Sequence, residues 1–117
     1  LLLDGRHRLL GEEAVSQGTL TASLVHPREV FRPALRAAAA AVILAHNHPS
    51  GDPTPSLEDR EVTARLARAG RLLGIPVLDH IVVADAGFVS LREEGALDGL
   101  EDPSVASVGG LPAPKAP

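Results

Sequence analysis

The chain has 117 residues, enough for one domain, and 44% of them are apolar, enough for a core. A formal net charge of -4 gives no basic field of the kind that phosphate neutralisation demands, and the absence of cysteine excludes disulfides, thiol catalysis and thiolate metal ligands. The longest apolar run, 37–45, is about half of a membrane span, so no membrane segment is expected and a soluble, cytoplasmic protein follows.

In chain order, residues 1–4, 8–15 and 20–25 read as short strands around turns at Asp4-Gly5 and Gln17-Gly18, a meander. The chain contains no methionine, and Leu1 to Asp4 reads as the second half of a strand, so upstream sequence is expected to be missing. Pro27 suits the first helical position, and Arg28 to Ala40 reads as an Ala-rich helix in which Pro33 predicts a kink or a late start. Val42 to His46 has the continuous apolar character of a buried central strand. A loop from Pro49 to Pro55 follows, stiffened by its prolines. Val62, Leu66, Ala69 and Leu73 then recur at helical spacing until Gly74 stops the pattern. Val77 to Ala84 and Phe88 to Leu91 form a hairpin around Asp85-Ala86-Gly87. Residues 98–117 are Pro, Ala, Gly and Ser with little to bury, and read as a disordered tail. The only aromatic residues are Phe31 and Phe88, so Leu, Val, Ile and Ala must fill the core.

The chemistry concentrates between Ala45 and Arg60, where His46, His48, Ser56 and Asp59 have the spacing of a catalytic metal site. Histidines at i and i+2 on a strand end project from the same face. Asp59, just inside the next helix, brings a carboxylate to the same point. Two His and one carboxylate leave a coordination position open, as catalytic zinc sites do, whereas structural zinc sites are closed by four ligands. The same ligand types also serve non-heme iron. A plainer reading stands beside this one: Ser56 to Asp59 fits an N-cap and its acidic partner, close to a capping box, and a strand end can carry two solvated histidines. The two readings are compatible, because Ser56 can cap while Asp59 points out of the first turn.

Other polar residues have bland readings. Glu12, Glu13 and Glu58 read as solvated, and Glu29 as an acid favoured by the positive end of its helix. Asp79 and His80 are consecutive in a strand, so they face opposite sides and cannot both approach one ion; support of a ligand or packing is expected of them. His7 and His26 read as turn and capping residues, and Asn47 as facing away from the metal.

The run His46-Asn47-His48-Pro49-Ser50-Gly51-Asp52, the pair Pro55-Ser56, Asp59, Leu78-Asp79-His80-Ile81 and His26-Pro27-Arg28-Glu29 resemble the RadC-like branch of the JAMM (MPN-type) metalloprotease superfamily. The resemblance covers roughly 1–97 and includes the complete pattern of H-x-H, seven residues, S, two residues, D. It implies an α/β fold of the deaminase-like JAMM/MPN type, a single mixed sheet flanked by helices, N-terminally incomplete. It also implies zinc on His46, His48 and Asp59 with water as the fourth ligand, and Ser56 as the catalytic residue that assists the water and the oxyanion. The superfamily's general base is a glutamate on a strand before the metal strand, expected here upstream of Leu1. The implied activity is a zinc-dependent metalloprotease, a hydrolase of peptide or isopeptide bonds acting on a protein or peptide substrate. Two alternatives remain: a DNA repair or recombination factor, which the family's historical name suggests and the acidic balance does not support, and a non-catalytic MPN-like interaction module.

Overall fold

The computed structural model describes residues 1–15 and 25–97. Within them the elements are β1 (Leu2–Leu3), β2 (Leu9–Gly11), α1 (Pro27–Arg36), β3 (Ala41–Asn47), α2 (Leu57–Leu73), β4 (Val77–Ala84) and β5 (Gly87–Ser90). The strands form one mixed sheet in the order β2-β1-β3-β4-β5, giving the expected α/β fold. Only β3 and β4 are parallel; β1 runs antiparallel to both β2 and β3, and β4 to β5. A parallel pair needs a long crossover, and α2 supplies it. The expected strand at 20–25 falls mostly on residues 16–24, and the expected tail on 98–117, both outside the described residues.

One core joins the layers. Val30, Phe31 and Ala34 from α1 and Val62, Leu66 and Ala67 from α2 pack against Leu2, Val42 and Val77 of the sheet. Phe31 is buried, while Phe88, the other aromatic, is 68% exposed. Close packing at the end of α2 depends on glycine. A Cβ on Gly70 would stand 2.4 Å from the Ile75 carbonyl oxygen and 3.0 Å from Phe31 Cζ, and Gly74 leaves the helix at a φ of +75°. The Ile75 amide then donates to the Gly70 carbonyl at 2.8 Å, closing the helix in a Schellman-like turn. Among the described residues, no helix is long and apolar enough to cross a membrane.

Two expectations need correction. The helix expected to reach Ala40 stops at Arg36, because Ala38 adopts a φ of +52° and the Ala40 amide donates to the Leu3 carbonyl at 2.8 Å. Strand pairing thus overrides the helix propensity of the alanine run. The helix does begin at Pro27, and it continues through Pro33 with no late start. The strand expected over 8–15 is confined to Leu9–Gly11. The Asp4 turn before it is as read: its carboxylate accepts from the Arg6 and Arg8 amides, each at 2.8 Å.

Candidate metal centre

The site forms where the end of β3 meets the start of α2. His46 lies on β3, and although that strand ends at Asn47, the His48 amide still donates to the Val83 carbonyl at 2.8 Å. The alternation therefore persists one residue further, and both imidazoles stay on one face. Gly51, at a φ of +87°, turns the chain, while Asp52 Oδ1 accepts from the Thr54 amide at 3.0 Å and its hydroxyl at 2.7 Å. The Ala86 amide donates to the Gly51 carbonyl at 3.1 Å, tying this loop to the β4–β5 turn.

The loop delivers Ser56 as the N-cap of α2. The Asp59 amide donates to Ser56 Oγ at 3.1 Å and the Ser56 amide donates to Asp59 Oδ2 at 2.7 Å, a complete capping box. Thus fixed, the Asp59 carboxylate is buried with Oδ1 3.1 Å from His46 Nε2 and Oδ2 3.0 Å from His48 Nε2. The capping and convergence readings of the sequence are both realised in one side chain.

Behind this trio stands His80, itself buried. Its Nε2 is 2.8 Å from His46 Nδ1, and its Nδ1 is 2.6 Å from the hydroxyl of buried Thr63. Thr63 Oγ1 also donates to the Asp59 carbonyl at 2.7 Å. Asp79 turns the other way, accepting from the Ser90 hydroxyl at 2.7 Å and the Arg92 amide at 3.1 Å. The opposite-face reading of these two residues is therefore correct. Thr63 was not singled out in the sequence, although its position four residues after Asp59 puts it on the same helical face.

The electrostatics follow from burial and proximity. Desolvation, with a further contribution from neighbouring His46, lowers the His80 pKa to about 4 against the attraction of Asp59 and Asp79. Desolvation likewise lowers the pKa of His46, opposed by Asp59. For Asp59 burial resists ionisation, but the Ser56 amide, His46, the Ser56 hydroxyl and His48 together hold its pKa below the usual carboxylate value. The folded chain therefore holds an ionised carboxylate facing two imidazoles.

That donor set fits a metal ion. Ligand atoms of His46, His48 and Asp59 all lie within 4.8 Å of one another, the grouping of this kind found among the described residues. His46 Nε2 is buried and has no hydrogen-bond partner, since its approach to Asp59 has the distance of an ion pair without the alignment of a hydrogen bond. A lone pair on that buried nitrogen would face the carboxylate, which is unfavourable unless a positive charge lies between them. A cavity of about 470 Å³ reaches His46 and His80 from the side of Leu1, and Glu12 and Glu13 also line it.

The remaining polar residues stay outside the trio. Glu12, Glu13 and Glu58 are exposed, and Glu29 sits 3.7 Å from Arg28 and 3.8 Å from Arg32 in the first turn of α1. His7 occupies its turn at a φ of +61°, Asn47 is exposed, and His26 begins α1 without a side-chain capping bond.

Comparison with known proteins gives a consistent result. Residues 1–96 match the family model described as the RadC-like JAB domain. The chain is 64% identical over 99 residues to a UPF0758 protein of Symbiobacterium thermophilum, covering 85% of this chain and 42% of that protein. It is 58% identical over 97 residues to a UPF0758 protein of Syntrophotalea carbinolica, covering 83% of this chain and 43% of that one. A UPF0758 protein of Trichlorobacter lovleyi is 59% identical over 97 residues, with 83% and 42% covered. The chain thus spans about two-fifths of the length of these curated relatives.

Proposed function

The chain belongs to the RadC-like JAB domain family, and from that premise we propose that it is the metal-binding part of a zinc-dependent hydrolase that cleaves a peptide or isopeptide bond. The observation that carries this reading is the convergence of His46 Nε2, His48 Nε2 and the Asp59 carboxylate, with the His46 nitrogen buried and unpartnered. These three residues would hold the ion, and three protein ligands leave a position for water or substrate. Zinc has filled-shell chemistry suited to two imidazoles and one carboxylate, and when bound it supplies Lewis acidity toward water and an amide carbonyl.

The chain's own residues have separate tasks. Asp59 contributes a negative charge fixed by the Ser56 amide, so its carboxylate needs no reorganisation to receive a cation. Ser56 Oγ uses a lone pair to accept from the Asp59 amide, which leaves its hydroxyl proton free to donate to an oxyanion at the open side of the site. The cavity on the β1 side of β3 adjoins the trio through His46 alone, since neither His48 nor Ser56 nor Asp59 lines it.

Elemental analysis after equilibration with Zn2+ and removal of free ion tests the proposal. About one zinc per chain is expected for the wild type and almost none for His46→Ala, with peptide or isopeptide hydrolysis by the full-length protein disappearing in parallel. A folded wild-type protein that retains no zinc would sink the reading.

A further inference from the structure

The metal reading leaves open why His46 presents its Nε2, rather than its Nδ1, as a free lone pair. A neutral imidazole has one N–H and one acceptor nitrogen, and which nitrogen carries the proton is decided by its partners. The partners here form a closed series. Thr63 Oγ1 lies 2.7 Å from the Asp59 carbonyl and 2.6 Å from His80 Nδ1, and Thr63 has a single hydroxyl proton for the two contacts. A carbonyl can only accept, so that proton belongs to the Asp59 contact; the opposite choice would press two bare oxygens together at 2.7 Å. The Thr63 oxygen must then accept from a proton on His80 Nδ1. With Nδ1 protonated, His80 Nε2 is an acceptor, and the atom 2.8 Å away, His46 Nδ1, must be the donor. His46 Nε2 is left with its lone pair facing Asp59 Oδ1 at 3.1 Å, so the series exchanges an oxygen–oxygen contact of 2.7 Å for a longer nitrogen–oxygen contact, the one that a bound cation would relieve. Thr63 and His80 are both buried, so water does not offer substitute partners.

We infer that Thr63 and His80 are positioning residues that lock His46 in its Nδ1–H tautomer and so make Nε2 the ligand atom. The series starts at the Asp59 carbonyl and returns to the Asp59 side chain. One helical residue therefore supplies a carboxylate directly and, through Thr63 and His80, determines the tautomer of the facing imidazole. His48 has no such relay: its Nδ1 faces the Asp52 carbonyl and its Nε2 faces Asp59 Oδ2, each at 3.0 Å and each an oxygen that can only accept, so these contacts alone do not set its tautomer. The inference rests on His46, His48 and Asp59 being metal ligands, but its first consequence can be read without metal.

The experiment has two arms. Long-range proton–nitrogen correlation spectra of the 15N-labelled, metal-free chain at about pH 7.5, where unperturbed imidazoles are neutral, report each tautomer. Both His46 and His80 are expected as the Nδ1–H form; either one found as the Nε2–H form, or as a rapid mixture, overturns the relay. The second arm measures zinc affinity by competition with a chromophoric chelator. Thr63→Val is expected to bind zinc about 10- to 100-fold more weakly and to mix the His80 tautomers, while Thr63→Ser returns both properties to near wild type. Thermal unfolding of each variant separates loss of fold from loss of tautomer, and Thr63→Ser keeps the test decisive if Thr63→Val does not fold. Equal affinity in folded Thr63→Val and wild type overturns the relay. A wild type in which His46 and His80 are both the Nδ1–H form yet no zinc binds upholds the relay and refutes the metal reading.

Discussion

Protonating His80 places a cation where burial and the adjacent His46 oppose it, which is why its pKa falls to about 4. In the unfolded chain the same imidazole titrates near 6.5. Between these values the unfolded chain takes up the proton and the folded chain does not, so stability falls as pH drops through this window; above about pH 6.5 both forms are neutral and the group contributes nothing. A difference of roughly 2.5 units corresponds to roughly 3 kcal/mol when fully developed. Denaturant titration of the metal-free chain at about pH 7 and about pH 4.5 should show a loss in the wild type that is markedly smaller in His80→Gln. Equal losses would refute this account of His80. His46 is depressed in the same direction and is present in both proteins. The lowered pKa of Asp59 moves its effect to more acidic conditions, below about 3.8. At this scale the trio was legible because strand alternation and a capping box are local rules. The contact of His80 with His46 was not, since it depends on the β3–β4 register, in which Leu44 pairs with His80 and a bulge intervenes between Val42 and Ile43.

The start of α2 is a helix cap that also carries Asp59, the proposed metal ligand, and substitution can separate these roles. Ser56→Ala removes the oxygen that accepts from the Asp59 amide, and the loss of such a cap costs about 1 kcal/mol. Asparagine is an equally good N-cap, so Ser56→Asn should restore the denaturation midpoint. Because it lacks the hydroxyl, hydrolysis by the full-length protein should remain impaired in Ser56→Asn; full activity there would remove Ser56 from the chemistry. At the other end, Gly70→Ala should destabilise despite alanine's higher helix propensity. The new Cβ would meet backbone, the Ile75 oxygen at 2.4 Å, and overpacking of this kind costs about 1–3 kcal/mol against a gain of about 1 kcal/mol. A melting temperature at or above wild type would show that the Ile75 turn yields more easily than its hydrogen bond implies. The elements themselves were readable where a local signal is strong: Pro27 begins α1, Ser56 and Gly74 bracket α2, and Asp85-Ala86-Gly87 joins β4 to β5. The end of α1 was not, because residues 37–40 are good helix formers whose fate is decided by pairing with β1.

Across the whole molecule, the trio sits where ligands commonly bind in open α/β sheets, beyond the carboxyl end of a parallel strand and at the start of the following helix. The positive end of α2 favours the ionised Asp59 and the sheet supplies the two imidazoles, so an ion bound there would tie β3 directly to α2. His80 adds β4 to the same assembly through its contact with His46. An ion that binds only the folded chain stabilises it by mass action, about 2.7 kcal/mol at a free concentration 100-fold above Kd. For a domain of this size each kcal/mol raises Tm by roughly 4–8 °C, so saturating zinc should raise it by about 10–20 °C. Excess chelator should reverse the shift. Asp59→Asn is the informative control, because its amide oxygen can still accept from the Ser56 amide while the negative charge is gone. Its metal-free Tm should fall only slightly, reflecting the roughly 0.3–1 kcal/mol that a negative charge contributes in a first helical turn, and its response to zinc should largely vanish. If Asp59→Asn were stabilised by zinc as strongly as the wild type, the ion would be bound elsewhere, and the carboxylate would serve the capping box alone.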